Sequence, residues 1–175
     1  MKKTIIYSTI FGDYDNAIEQ PKMPRVKYVM YTDNPNLNAP GWEVIHVPWF
    51  SGLHPRLKAK WFKIVGFPTG CKSIYIDGNI RLNHADSVHK LLKWCKSGVA
   101  VYKHPEGRDC IFDEAEYCQD FPKYRECPII EQAQHYADVG MPAHYGLWAC
   151  GIIVRDDLSL TGVRLMFLRS GGRKI

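Results

Sequence analysis

What this 175-residue chain lacks narrows its class first. No apolar run approaches the ~20 residues that a membrane-crossing helix needs, so no membrane span is expected. The start, Met1-Lys2-Lys3-Thr4-Ile5-Ile6-Tyr7-Ser8, carries charge but no long apolar stretch, and predicts no signal peptide. Six cysteines (71, 95, 110, 118, 127 and 150) contain no C-x-x-C pair. Without a secretory signal they read as reduced thiols of a cytoplasmic protein. A zinc site drawn from Cys110, Cys118 and a histidine stays open as an alternative, although the spacings match no common zinc pattern. No run of Lys and Arg resembles a nucleic-acid arm, and the aromatics follow no RNA-binding pattern, so no nucleic-acid partner is expected. There is no Gly-rich phosphate loop with its lysine, which argues against a nucleotidyl or phosphoryl transferase of that kind. Internal repeats and low-complexity segments are absent.

What is present fits one soluble α/β domain over residues 1–175. Hydrophobic residues make up 46% and charged residues 23%, enough apolar material for a core at this length. Lys and Arg number 23 against 18 Asp and Glu, and the net charge of +5 suits an anionic partner.

The most informative stretch is Ser73-Ile74-Tyr75-Ile76-Asp77-Gly78-Asn79-Ile80. A β-prone run is broken by Asp-Gly, which predicts a buried strand with a carboxylate and a carboxamide at its carboxyl end. In open α/β sheets ligands sit at that edge. Asp77 and Asn79 stand two residues apart, so both could face one hard cation, Mg²⁺ or Mn²⁺, carrying substrate phosphates. Asp-Gly-Asn is equally the composition of a plain turn.

Along the chain, strands are predicted over Lys3–Ile10, Val26–Tyr31 and Trp42–Val47, the first two closed by the polar loops Phe11-Gly12-Asp13-Tyr14-Asp15-Asn16 and Thr32-Asp33-Asn34-Pro35. If these loops gather at one sheet edge, Asp33 lies near the Asp77 end; otherwise Asp33 is a turn residue. Pro55–Gly66 is the clearest helix, started by Pro55 and ended by Gly66 and Pro68. Leu57, Trp61, Ile64 and Val65 fall on one predicted apolar face, and Arg56, Lys60 and Lys63 form a basic stripe. The stripe is either a solvated face or a source of cations for a diphosphate. Further helices are predicted over Asp86–Lys96 (Val88, Leu91, Leu92 and Cys95 inward), Ile111–Asp120 and Pro128–Val139 (Ile129, Ile130, Ala133 and Ala137 inward). Strands are predicted over Val99–Tyr102 and Gly151–Arg155. Asp113 and Glu114 in the first turns of a helix are explained by the helix dipole alone. Leu158–Leu168 reads as a further helix before a Gly-rich, basic ending.

Taken in order, Thr9–Asp15, Tyr31–Pro35, Tyr75–Ile80, His104-Pro105, Cys110–Ala115, Gln132–Tyr136 and Gly151–Arg155 resemble successive motifs of the glycosyltransferase-like family once called domain of unknown function 616. The family is similar to GT-A nucleotide-sugar glycosyltransferases. The resemblance implies a Rossmann-like, mixed and mostly parallel sheet flanked by helices. It further implies a nucleotide-diphosphate-sugar donor and a divalent metal at an Asp-x-Asp-like motif, onto which Asp77 and Asn79 fall. Thr9, Phe11, Gly12, Asp13, Tyr14 and Asp33 fall where such folds hold the nucleoside, and Lys60 near a lysine placed on the donor diphosphate. His104, with the Asp113-Glu114 pair as catalytic candidates, enters only through the family motifs. The Arg-Asp-Gln segment that family members carry after the last strand is missing, so a C-terminally shortened chain is expected. The leading expectation is sugar transfer to an unknown glycan, protein or small-molecule acceptor. The alternative is a non-catalytic nucleotide-sugar-binding remnant.

Overall fold

The computed structural model describes residues 3–48, 52–84, 86–96 and 98–156. The helix predicted over Leu158–Leu168 and the basic ending lie outside them. Six strands form one sheet: β1 (Thr4–Ile10), β2 (Val26–Thr32), β3 (Glu43–His46), β4 (Lys72–Ile76), β5 (Val99–Lys103) and β6 (Trp148–Asp156), in the order β3-β2-β1-β4-β6-β5. β1 runs parallel to β2 and β4, and β2 parallel to β3, whereas β6 is antiparallel to β4. Among the described residues four α-helices accompany them: α1 (Pro55–Ile64), α2 (Ser87–Trp94), α3 (Ile111–Gln119) and α4 (Ile129–Asp138). This is the mixed, mostly parallel α/β sheet that the family resemblance implies.

The chain divides into two compact units, one made of the residues up to Ala100 and from Gly151, the other of Val101–Cys150. In the first, the period of two along each strand sorts side chains onto two chemically different faces. Ile6, Ile10, Met30, Ile74 and Ile76 pack with Val88, Leu91 and Cys95 of α2, the inner face its spacing predicts. On the other face lie Tyr7, Tyr31 and Tyr75, with ring centroids 6.4 Å (Tyr7–Tyr31) and 5.3 Å (Tyr7–Tyr75) apart. Phe62 of α1 stacks on Tyr31 at 4.3 Å. The antiparallel β6 brings Arg155 into this aromatic layer, where it donates to the Tyr7 hydroxyl at 2.8 Å and to the Lys63 carbonyl. A cation at the carboxyl end of α1 complements the helix dipole.

Helix α1 is placed as predicted, with Pro55 in its first turn, but it turns a different face inward. Lys58 and Phe62 are its buried residues, while Leu57, Ile64 and Val65 are exposed. The cause is outside the helix: Lys58 finds a carboxylate, Asp33, and the aromatic layer takes Phe62. Gly66 follows the end of α1 with the Trp61 ring against it, and a Cβ there would stand 1.8 Å from Trp61 Cζ3.

In the second unit α3 packs with α4. Only Ala133 of α4 is fully buried, flanked by half-buried Ile129 and Tyr136, while Ile130 and Ala137 face outward. The inner face is thus 129-133-136, one residue round from the predicted set, because a two-helix packing buries a narrower stripe than the apolar positions offer.

Candidate functional site

The parallel strands β2, β1 and β4 lie side by side, so their carboxyl ends, Thr32, Ile10 and Ile76, deliver the following loops to one edge. Asp33 ties two of these loops together. Its Oδ1 accepts from the Gly12 backbone N–H at 2.9 Å and its Oδ2 from Lys58 Nζ at 2.7 Å. Asn34 donates from Nδ2 to Asp13 Oδ1 at 2.8 Å, a second link between the same loops. Gly12 (φ +64°) and Asp13 (φ +54°) are both left-handed, and a Cβ on Gly12 would meet Pro55 Cγ at 2.5 Å. Glycine is required there both for its backbone and for the close approach of α1. Burial would raise the Asp33 carboxyl, but the hydrogen bonds from Lys58 and Gly12 and the lysine charge outweigh it and hold the group below its ordinary range.

Asp77 follows β4 directly. Its Oδ1 is 2.7 Å from Lys63 Nζ and accepts the Tyr75 hydroxyl at 2.9 Å. Tyr75 and Thr9 share a hydrogen bond of 3.1 Å, and Lys63 Nζ stands 4.7 Å over the Tyr75 ring. Burial, and then the Asp77 charge, raise the Tyr75 phenol, so it stays a proton donor to Asp77. Asp77 Oδ2 points to Gly151 of β6, where a Cβ would come within 3.2 Å, and the Gly151 carbonyl accepts from the Asp77 N–H at 2.8 Å. Helix α1 therefore sends Lys58 to Asp33 and Lys63 to Asp77, five residues and about 7.5 Å of helix apart.

The other residues of the predicted nucleotide side are spread over this edge. Thr9 and Phe11 are buried, Phe11 stacking on Phe62 at 5.7 Å, so both support the site from beneath. Tyr14 is exposed, with the Arg56 guanidinium carbon 5.7 Å from its ring centroid. Lys60 is exposed, as is Asn79. Of the basic stripe, Lys63 is the member brought to Asp77.

His104, Asp113 and Glu114 belong to the second unit. Glu114 accepts from Arg108 Nε at 2.6 Å and lies 3.8 Å from His104 Nε2. Cys118 Sγ donates to Glu114 Oε1 at 3.6 Å. Asp113 is exposed, and one of its oxygens lies within 4.8 Å of Cys110 Sγ and of a ring nitrogen of His144. Thus Cys110 is grouped with Asp113 and His144, while Cys118 turns to Glu114. Asp109 Oδ1 accepts from His144 Nδ1 at 2.7 Å, and this bond and the carboxylate charge raise the imidazole.

Residue spacing did not single out Lys58, Tyr75, Gly151 or His144. The Tyr75–Asp77 pair had a signal, since residues i and i+2 of a strand share a face. Lys58 and His144 had none, because their partners are 25 and 35 residues away.

The oxygen donors of Asp77 and Asn79 suit a hard divalent cation, and the missing side chain at Gly151 keeps Asp77 Oδ2 uncrowded. Among the described residues no helix is long and apolar enough to cross a membrane. No curated protein and no solved structure matches the chain. A family profile described as TOD1/MUCI70, glycosyltransferase-like domain, matches residues 1–148, and the α/β sheet is compatible with a GT-A-like fold. With its strand-edge carboxylates inside that matched span, the chain belongs to the TOD1/MUCI70 glycosyltransferase-like family.

Proposed function

We propose that this protein moves a sugar from a nucleotide-diphosphate-sugar donor to a glycan, protein or small-molecule acceptor, with the donor at the strand edge of the first unit. The observation that carries the reading is the pair of ties from α1, Lys58 to Asp33 and Lys63 to Asp77, at the edge where parallel strands end. Gly12, Asp13 and Tyr14 offer backbone and an exposed ring to the nucleoside, with Asp33 fixing their loop. Lys63, held at Asp77, supplies the cation for the diphosphate, with Arg56 beside the Tyr14 ring as a second.

Asp77 and Asn79 would hold Mn²⁺ or Mg²⁺. When bound, such an ion offsets the negative charge that grows on the departing nucleotide diphosphate. Tyr75 keeps Asp77 oriented by donating to Oδ1, and Lys63 adds fixed positive charge where the leaving group develops its own. Asp113 and Glu114 enter as catalytic candidates through the family motif alone. Glu114 is already ion-paired to Arg108, which leaves exposed Asp113 as the more available of the two.

The test is calorimetric titration with nucleotide diphosphates, with and without Mn²⁺, beside an assay of nucleotide-diphosphate release from a nucleotide-sugar panel. Binding should strengthen with Mn²⁺ and fall sharply in Asp77→Ala, while Asn79→Asp should keep or improve the metal effect by adding a charged oxygen. Undiminished nucleotide and Mn²⁺ binding in Asp77→Ala would remove this edge as the donor site.

A further inference from the structure

The second unit carries a side-chain cluster of which the transfer reading uses Asp113 alone. Cys110 Sγ, an Asp113 carboxylate oxygen and a His144 ring nitrogen all lie within 4.8 Å of one another. Cys110 is 2% exposed and occupies the position before α3, yet its side chain makes no capping bond to the helix. Asp113 stands three residues on, which puts both on the opening turn of α3. His144 arrives from the loop between α4 and β6.

That arrival is enforced. His144 holds a left-handed backbone (φ +56°), uncommon outside glycine. Asp109, the residue before Cys110, binds the His144 ring through Nδ1 at 2.7 Å, and its carbonyl accepts from Gly146 N–H at 2.9 Å. With Nδ1 fixed by a carboxylate, Nε2 is the nitrogen presented to a ligand. Histidines that bind metals are oriented in this way, by a carboxylate on the other ring nitrogen. An Asp109–His144 ion pair by itself explains neither the buried thiol nor the converging Asp113.

We propose that Cys110, Asp113 and His144 form a three-ligand site for a zinc-class divalent cation, with Asp109 as its orienting carboxylate. One sulfur, one imidazole nitrogen and one carboxylate oxygen make a borderline-soft set that favours Zn²⁺ over Mg²⁺ or Mn²⁺. Three protein ligands leave a fourth tetrahedral position for water or a substrate oxygen. The thiol proton leaves to solvent as the metal–sulfur bond forms. The site is independent of the donor reading, because it uses a different ligand chemistry and none of the strand-edge residues.

The experiment is a Co²⁺ titration of the whole 175-residue chain, followed by absorption. The expected result is a thiolate-to-cobalt charge-transfer band with intense visible bands of a tetrahedral ion, both erased by stoichiometric Zn²⁺. Cys110→Ser should abolish the charge-transfer band. His144→Ala and Asp113→Asn, at exposed positions, should weaken Co²⁺ by tenfold or more with the circular dichroism unchanged. Asp109→Asn should weaken it by roughly 10–100-fold, the usual effect of losing an orienting partner. Cys150→Ser, a change of exposed thiol, should leave the spectrum as it is. Absence of the band, its survival in Cys110→Ser, or unchanged Co²⁺ affinity in both His144→Ala and Asp113→Asn would overturn the assignment.

Discussion

Replacing Lys58 by methionine removes one ammonium, which stands 5.9 Å from the Phe11 ring centroid, and keeps most of the apolar stem. In the native chain Nζ is 2.7 Å from Asp33 Oδ2, and the two side chains are only 10% and 24% exposed. Exposed ion pairs contribute ~0.2–1 kcal/mol, whereas removing one partner of a fully buried pair costs ~3–5 kcal/mol. Asp33 keeps its Gly12 bond and partial access to water, so the loss should fall between these limits, at about 2 kcal/mol. For a chain of this size that lowers Tm by roughly 4–8 °C. Urea unfolding read by circular dichroism measures it. The variant should also lose acid sensitivity. The folded pKa of Asp33 is below its unfolded value, so the pair's contribution is complete above about pH 4 and fades as pH falls through the folded value. The parent should therefore lose more stability than Lys58→Met below about pH 4. A change under about 0.5 kcal/mol, or parallel stability curves down to acid pH, would mean that Lys58 is buried for its stem and the pair contributes nothing.

Two more outcomes follow from contacts at the same edge. Gly12→Ala should destabilise by at least about 1 kcal/mol, since the left-handed backbone alone costs that much before Pro55 has to move away from the new Cβ; urea unfolding would show it. Tyr75→Phe should cost about 1–2 kcal/mol by leaving the buried Thr9 hydroxyl without its phenol, and should weaken Mn²⁺-assisted nucleotide binding as Asp77 loses an orienting donor; calorimetry of both properties checks it.

The strand and helix positions are written locally, in runs such as Ile74-Tyr75-Ile76 and punctuation such as Pro55 and Gly66, and the structure follows them closely. Which side of a helix turns inward is decided by remote partners, and here local reading fails. Leu57, Trp61, Ile64 and Val65 outvote Lys58 in any hydropathy pattern, yet Asp33 and the aromatic layer reverse the outcome. The same holds at the site. Asp77 and Asp33 stand out because β-prone runs end beside them. The tie of Lys63 to Asp77 depends on how α1 lies across the sheet. Spacing along the stripe gives Lys60 and Arg56 equal claims. The Cys110–His144 grouping is less legible still: no sequence pattern records a loop folding back 34 residues later onto a helix start.

Lys63 is the residue on which lysine and metal meet, and it permits a test with two signs. Its ammonium sits on Asp77 Oδ1, and Asp77 remains 39% exposed, so the pair is a partly solvated one. A divalent cation approaching Asp77 meets this positive charge as a competitor for the carboxylate. A diphosphate meets it as a donor. Lys63→Met should therefore strengthen Mn²⁺ binding in the absence of nucleotide by up to roughly fivefold, the value of a surface pair of about 1 kcal/mol. It should weaken nucleotide-diphosphate binding by tenfold or more, since a charge-assisted hydrogen bond contributes ~1.5–3 kcal/mol. Lys60→Met, at an exposed position without that carboxylate, should move either constant by less than twofold. Paired titrations of Mn²⁺ alone and of nucleotide diphosphate alone separate the two effects. If both constants move in the same direction in Lys63→Met, the lysine acts only through the fold. If Lys60→Met shows the larger loss of diphosphate affinity, the phosphate contact belongs to Lys60, and Lys63 serves to hold Asp77.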